Sequence, residues 1–217
     1  MQNSIPKIYF DYSINDEIAR VTYTIKKYGW YMENGYKPTI PAALIQRVES
    51  NAPVEEEAIR EAIDAEYNKN RYENAELQIK EGWQKIEEHF FNNLKNLKLP
   101  IHDEYHVCLT RYGTSGSYGV PNDIQINIEK RKIEDIPQVI AHETVHLTIE
   151  HLIKEYKIDH WTKERIVNLV MNKFFPEKAS LQSDPHNAEF VNNCFEANYP
   201  DIKKIIEEIS GYNKAQV

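Results

Sequence analysis

Apolar residues recur at helical spacing through much of the first hundred residues of the chain. The first stripe, with Ser13 and Asp16 as a weak capping box before it and Gly29 as a stop after it, consists of Ile14, Ile18, Val21, Ile25 and Tyr28. Residues 54–97 are rich in Glu, Lys and Ala and carry a second stripe, made of Ile59, Ile63, Ile79, Trp83, Ile86 and Phe90. The pattern predicts an N-terminal helical region over residues 1–100, whose charged positions form a solvated face.

After Pro100 the pattern changes to the one typical of strands. Residues 106–110 and 124–128 are extended apolar runs, and the second alternates cleanly between apolar and polar positions. The glycine-rich segment between them lacks the Gly-Lys-Ser/Thr of a phosphate loop. We expect it to be a hairpin loop or, alternatively, a flap over a functional site that contacts substrate through Tyr112 or Tyr118. Helices combined with a small antiparallel or mixed sheet predict an α+β fold.

The segment from Ile136 to Ile153 is apolar on most sides, as expected for a helix at the centre of a domain. Within it His142 and His146 lie four positions apart, so they share one helix face, and each can give one nitrogen to a tetrahedral Zn²⁺. Glu143 points in a neighbouring direction, from which it can reach a metal-activated water as a general base. The pattern H-E-x-x-H therefore predicts a zinc site.

A catalytic zinc needs a third protein ligand and one open position. The downstream candidates are Glu150, His151, Glu155, Asp159, His160 and Glu164. Glu150 lies roughly 12 Å along the helix axis from His142, too far to share an ion. Glu164 fits best, because Asp159 or Thr162 can cap a second helix that folds back and carries Glu164 in its first turn.

One helical turn beyond Glu164, Asn168 is a candidate outer-shell partner. Its side-chain carbonyl can accept the second N–H of a liganding histidine, which metal-bound imidazoles usually require. The group that would stabilise a developing oxyanion is left open by the sequence. The candidates are Tyr118, Tyr156, His160, Arg165 and His186.

The sequence His142-Glu143-x-x-His146, followed by a helix bearing Glu164, resembles the gluzincin group of zinc metallopeptidases, which includes thermolysin-like enzymes and many aminopeptidases. Trp161 stands three residues before Glu164, similar to the aromatic-x-x-Glu of the aminopeptidase branch. The resemblance covers residues 104–175. It implies a zincin-like metallopeptidase region over residues 101–217, with an edge strand of the sheet flanking the metal-binding helix.

The resemblance also implies a substrate and a mechanism. The strand at 124–128 would be the edge strand, to which an extended peptide adds by backbone hydrogen bonds. The residues expected to line this groove are Tyr118, Asn122, Ile124 and Ile126. The expected reaction is hydrolysis of a peptide or protein substrate: His142, His146 and Glu164 hold Zn²⁺, and Glu143 moves the proton from the water to the leaving amine.

Composition limits the other functions that the chain could have. The net charge is −8 without a marked run of Lys or Arg, which argues against nucleic-acid binding. The first residues lack a secretory signal and no stretch suits a bilayer span, so we expect no membrane association and a cytoplasmic location. Two non-catalytic alternatives remain: a zinc-binding protein without turnover, and a helical interaction module formed by residues 54–97 and 186–212.

Overall fold

The computed structural model describes residues 5–178 and 188–215 of the chain. Its helices are α1 (Ile14–Lys26), α2 (Tyr28–Glu33), α3 (Ile45–Glu49), α4 (Glu56–Glu66), α5 (Lys69–Gln84), α6 (Glu87–Asn96), α7 (Ile136–Tyr156), α8 (His160–Phe174), α9 (Ala188–Asn198) and α10 (Ile202–Ala215). Its strands are β1 (Lys7–Asp11), β2 (Glu104–Thr110), β3 (Gly116–Gly119) and β4 (Asp123–Asn127). A mostly helical chain with a small mixed sheet confirms the α+β prediction.

The chain divides into two compact units. The sheet unit consists of residues 7–85 and 104–140, and the helical unit consists of the described residues within 1–6, 86–103 and 141–217. This division differs from the predicted boundary at residue 100. The strands β2 to β4 belong with helices α1 to α5, because β2 pairs with the N-terminal strand β1 over its whole length.

The sheet has the strand order β1-β2-β4-β3. β2 runs parallel to both β1 and β4, while β3 runs antiparallel to β4. β4 therefore has a strand on each side, and the prediction that it is an edge strand is wrong. The prediction of a hairpin that joins the strands near 106–110 and 124–128 is also wrong, because β3 forms within the glycine-rich segment and covers that side of β4.

The first helix of the sheet unit begins as its sequence predicts. The Ser13 side chain accepts a hydrogen bond from the Asp16 backbone N–H, which caps α1. Ile18 and Val21 are buried in a core that includes Ile59 and Ile63 of α4. The predicted stop at Gly29 is wrong: α1 ends at Lys26 and Gly29 lies inside the short helix α2.

The helical unit has an aromatic and aliphatic core. Phe90 of α6 meets Phe174 of α8 edge to face, with ring centroids 5.9 Å apart. α9 packs against both α8 and α10, and α10 buries four isoleucines, namely Ile202, Ile205, Ile206 and Ile209. Over the described residues, every helix is too short or too polar to cross a lipid bilayer.

Candidate metal centre

The H-E-x-x-H pattern lies on a helix, as its sequence predicts. α7 begins at Ile136, next to Pro137, and ends at Tyr156. Its C-terminus closes with the Ile158 N–H bonded to the Ile153 carbonyl at 3.0 Å and the Lys157 N–H bonded to the Lys154 carbonyl at 3.4 Å. This is the pairing of a Schellman motif. It reverses the chain within three residues, before the next helix begins.

The next helix starts from a side-chain cap. The Asp159 carboxylate accepts hydrogen bonds of 3.0 Å from the backbone N–H groups of Trp161 and Thr162. Of the two predicted caps, Asp159 is the one the structure uses. α8 then runs to Phe174 and carries Glu164 at the beginning of its second turn.

The turn between α7 and α8 brings three ligand atoms together. Nε2 of His142 lies 3.1 Å from Nε2 of His146. Oε2 of Glu164 lies 3.6 Å from the first of these nitrogens and 3.4 Å from the second. Because all three residues belong to the helical unit, the arrangement is a property of that unit alone. Among the described residues, they form the one such group of three or more potential metal ligands.

These separations fit a tetrahedral zinc ion. With zinc–nitrogen and zinc–oxygen bonds of about 2.0–2.2 Å, neighbouring ligand atoms of a tetrahedron stand about 3.4 Å apart. The observed triangle, 3.1 to 3.6 Å on a side, brackets that value. Two neutral imidazoles and one carboxylate are also a donor set that zinc accepts.

Two of the three side chains are buried, and the third, His142, is partly buried. His146 is 2 % exposed and Glu164 is 8 % exposed. Burial raises the pKa of a carboxyl, but hydrogen bonds and charge from His142 and His146 outweigh it, so the pKa of Glu164 lies far below its usual range. The carboxylate is therefore held as an anion, which is the form a metal requires.

The pKa values of the two imidazoles are shifted in opposite directions. Burial lowers the pKa of His146 to about 4. Burial also opposes protonation of His142, but its contact with Glu164 and the negative charge of Glu143 outweigh that effect and raise its pKa. Both imidazoles thus lose stabilisation of their charged forms through burial, but only at His142 do nearby carboxylates outweigh that loss.

The predicted general base and outer-shell residue lie in the same helices. Glu143 is 7 % exposed and is close enough to His142 to raise its pKa. Asn168, one turn beyond Glu164 on α8, is also 7 % exposed. Its outer-shell hydrogen bond to a liganding histidine stays a prediction.

The predicted substrate-groove residues lie in the sheet unit, and two of them cannot line a groove. Ile124 and Ile126 are fully buried in β4, whose two sides are paired with β2 and β3, so these assignments are wrong. Asn122 donates a hydrogen bond of 3.0 Å to the Glu104 carbonyl. Tyr118 lies on β3, which has one strand neighbour among the described residues.

The prediction that Tyr112 of the glycine-rich segment contacts substrate as part of a flap is wrong. This residue is 2 % exposed, and its hydroxyl donates a hydrogen bond of 2.9 Å to the Glu66 carboxylate. A side chain fixed in this way cannot contact a substrate. The glycine-rich segment was expected to include a substrate-contacting Tyr112, whereas this tyrosine is part of the core of the sheet unit.

The candidates for oxyanion stabilisation differ in whether their polar groups are already bonded to other side chains. The Tyr156 hydroxyl donates to Glu207 at 2.7 Å, and Arg165 donates to Asn192 at 2.8 Å. His160 remains beside the site, with Nδ1 4.0 Å from Oε1 of Glu164. His186 lies outside the described residues.

One charged neighbour of the site was not predicted from the sequence. The Lys163 ammonium lies 3.7 Å from Oε1 of Glu164, and its side chain is only 13 % exposed. Residues adjacent in sequence on a helix do not face each other, so no spacing rule points to this pair. The one signal was a lysine directly before a candidate ligand.

Comparison of the chain with protein-family models, with curated proteins and with solved structures finds no match. The chemistry of the centre is therefore argued from its own residues.

Proposed function

We propose that the chain is a zinc-dependent metallopeptidase with a zincin-like arrangement of its metal-binding helices. One observation carries the proposal: ligand atoms of His142, His146 and Glu164 converge to within 4.8 Å of one another, next to the buried carboxylate of Glu143. The resemblance of these residues to the gluzincin metallopeptidases supplies the class of substrate, a peptide or protein.

The proposed roles divide between holding the ion and moving a proton. His142, His146 and Glu164 would hold Zn²⁺, which supplies Lewis acidity that polarises a carbonyl and lowers the pKa of water. Glu143 is adjacent to the ligand His142 but points in a different direction along the helix. It takes the proton from the attacking water and delivers it to the leaving amine, a role that suits a carboxylate close to the ligands but outside them.

The donor count favours a catalytic site over a structural one. Structural zinc sites are closed by four protein ligands, whereas catalytic sites have three and leave a position open. In the described part of the chain the group contains three donors. A structural site also has no use for Glu143. Zinc binding without turnover is the competing function, and a helical interaction module without metal is the second.

The test is a Glu143→Gln variant assayed for both zinc content and hydrolysis of a mixed fluorogenic peptide library. We expect about one zinc per chain in the wild type and in the variant, and a loss of hydrolysis of about 10²–10⁴-fold in the variant. Glu155→Gln is a matched control, because Glu155 is on the same helix but exposed.

The competing functions give different results. Zinc in both proteins with hydrolysis in neither would support the non-catalytic zinc protein. Absence of zinc from the wild type, even with metal supplied, would favour the interaction module. Unchanged hydrolysis in the Glu143→Gln variant would remove Glu143 from the mechanism.

A further inference from the structure

The two carboxylate oxygens of Glu164 face different partners. Oε2 lies 3.6 Å from Nε2 of His142 and 3.4 Å from Nε2 of His146. Oε1 lies 3.7 Å from the Lys163 ammonium and 4.0 Å from Nδ1 of His160. One oxygen therefore belongs to the triangle of ligand atoms, and the other belongs to an ion pair beside it.

Helix geometry alone does not produce this ion pair. Neighbouring residues project about 100° apart on an α-helix, so their side chains meet only if one of them bends along the helix surface. Lys163 does so with 13 % of its side chain exposed. A lysine that is largely shielded from water needs a compensating charge, because its ammonium loses hydration.

Lys163 is also hard to explain by metal affinity. A cation beside a site for a second cation repels it. A lysine in this position should therefore weaken metal binding through its charge. Its contact with Oε1 of Glu164 points instead to an effect on the carboxylate.

We infer that Lys163 is a positioning residue that restrains Oε1 of Glu164, so that Glu164 presents Oε2 alone to the metal. The inference rests on the metal site of the proposed function. A carboxylate can bind a metal through one oxygen or through both. Binding through both would occupy the position that a catalytic zinc leaves open for water. By pairing with Oε1, Lys163 keeps the donor count at three.

The experiment uses Co²⁺ in place of zinc, because the visible absorption of Co²⁺ is several times stronger with four ligands than with five or six. The full-length wild type, Lys163→Met and Lys163→Arg are each loaded with Co²⁺ and then titrated with azide, which binds at an open coordination position. Lys173→Met is the matched control: Lys173 is on the same helix and pairs with Glu196 at 2.7 Å.

We expect the Lys163→Met protein to bind Co²⁺ with weaker visible absorption and to bind azide about tenfold less tightly, an effect at the low end of those seen for outer-shell changes. Lys163→Arg should restore both properties, because arginine also supplies a cation. Lys173→Met should match the wild type. Thermal unfolding checks that each variant is folded, and Lys163→Gln replaces the methionine variant if that one is not.

Equal spectra and equal azide affinity in the wild type and Lys163→Met would overturn the role of Lys163 while leaving the metal site standing. A wild type that binds no Co²⁺ would overturn the site and the inference together. The spectra need no turnover. A protein that binds Co²⁺ but hydrolyses no peptide would therefore refute the proposed function, while the lysine variants still decide the role of Lys163.

Discussion

Two buried glutamates, one in each unit, respond to burial in opposite ways. Glu164 of the helical unit is 8 % exposed and Glu17 of the sheet unit is 1 % exposed. Burial raises the pKa of a carboxyl, because its charged form loses hydration. The pKa of Glu17 is raised accordingly. At Glu164 the effect of burial is outweighed by the two histidines, and the pKa is lowered.

The difference lies in the partners. Glu17 accepts hydrogen bonds from the Tyr72 hydroxyl, from the Thr110 hydroxyl at 2.5 Å and from the Arg111 backbone N–H at 2.9 Å. These neutral donors satisfy the oxygens but do not fully replace the lost hydration. Glu164 faces imidazoles, which can carry positive charge. Glu17 is thus a hydrogen-bond acceptor among neutral donors, whereas Glu164 is a buried anion beside two imidazoles.

The largest expected effect is on metal binding. Replacing Glu164 by Ala removes one of the three proposed ligands, and we expect zinc affinity to fall by more than a hundredfold, since changes in the outer shell alone cost about 10–100-fold. Elemental analysis after dialysis against a weak chelator measures it. Glu17→Gln, which changes the other buried carboxylate, should retain its zinc.

If the Glu164→Ala protein still held zinc, the contrast between the two glutamates would fail. The third ligand would then have to be sought among its neighbours, with His160 first because it already lies beside the site.

The next effect is on stability, and it belongs to Glu17. Glu17→Ala leaves three buried donors without their acceptor, and each unsatisfied group costs about 1–3 kcal/mol. Allowing for partial rearrangement, we expect the free energy of unfolding to fall by about 3–5 kcal/mol. Glu17→Gln keeps an acceptor oxygen and should cost about 1 kcal/mol. Urea unfolding measures both, and equal losses in the two variants would contradict this account of Glu17.

A smaller effect is a pH dependence of opposite sign at the two sites. The folded-state pKa of Glu17 lies above the ordinary value of 4.5, so its titration stabilises the fold fully below that value, and the contribution is lost as pH rises through the folded-state pKa. The stability of the wild type relative to Glu17→Gln should therefore decrease as the pH rises above 4.5.

For Glu164 the sign is reversed. Its folded-state pKa lies below 4.5, so its contribution is present above that value and is lost as the pH falls below it. In metal-free protein, the stability of the wild type relative to Glu164→Gln should decrease on acidification. Urea unfolding over a pH series gives both differences, and slopes of the same sign would contradict the comparison.

The parts of the fold that the sequence predicts are those fixed by neighbouring residues. Ser13 and Asp159 cap their helices, and the apolar stripes of α1 and α4 face the core, because caps and stripes depend on contacts within a few positions. The order of the strands depends on pairing between distant segments. β3 has only four residues, two of them glycines, so it is too short to show the alternating apolar and polar pattern that identifies a strand in a sequence.

The same distinction applies to the two glutamates and to Lys163. The motif around His142 marks one helix, and the Asp159 cap makes the return of Glu164 predictable. The need of Glu17 for buried hydrogen-bond donors could also be predicted from the sequence. This residue stands on the apolar stripe between Ile14 and Val21, where a carboxylate is buried. The contact between Lys163 and Glu164 could not be predicted, because it depends on the conformation of one side chain.

The smallest expected effect tests the turn on which the Glu164 site depends. Lys157 follows α7 with φ of +53°, a conformation that costs a residue with a Cβ about 1–2 kcal/mol. Lys157→Gly relieves this cost but removes a favourable charge at a helix C-terminus, worth about 0.3–1 kcal/mol. We expect a net gain of roughly 0.5–1 kcal/mol in urea unfolding with zinc affinity unchanged, because the Schellman hydrogen bonds are made by the backbone. A gain in stability accompanied by a loss of zinc would mean that the turn must be stiff, as well as correctly shaped, to bring Glu164 to the two histidines.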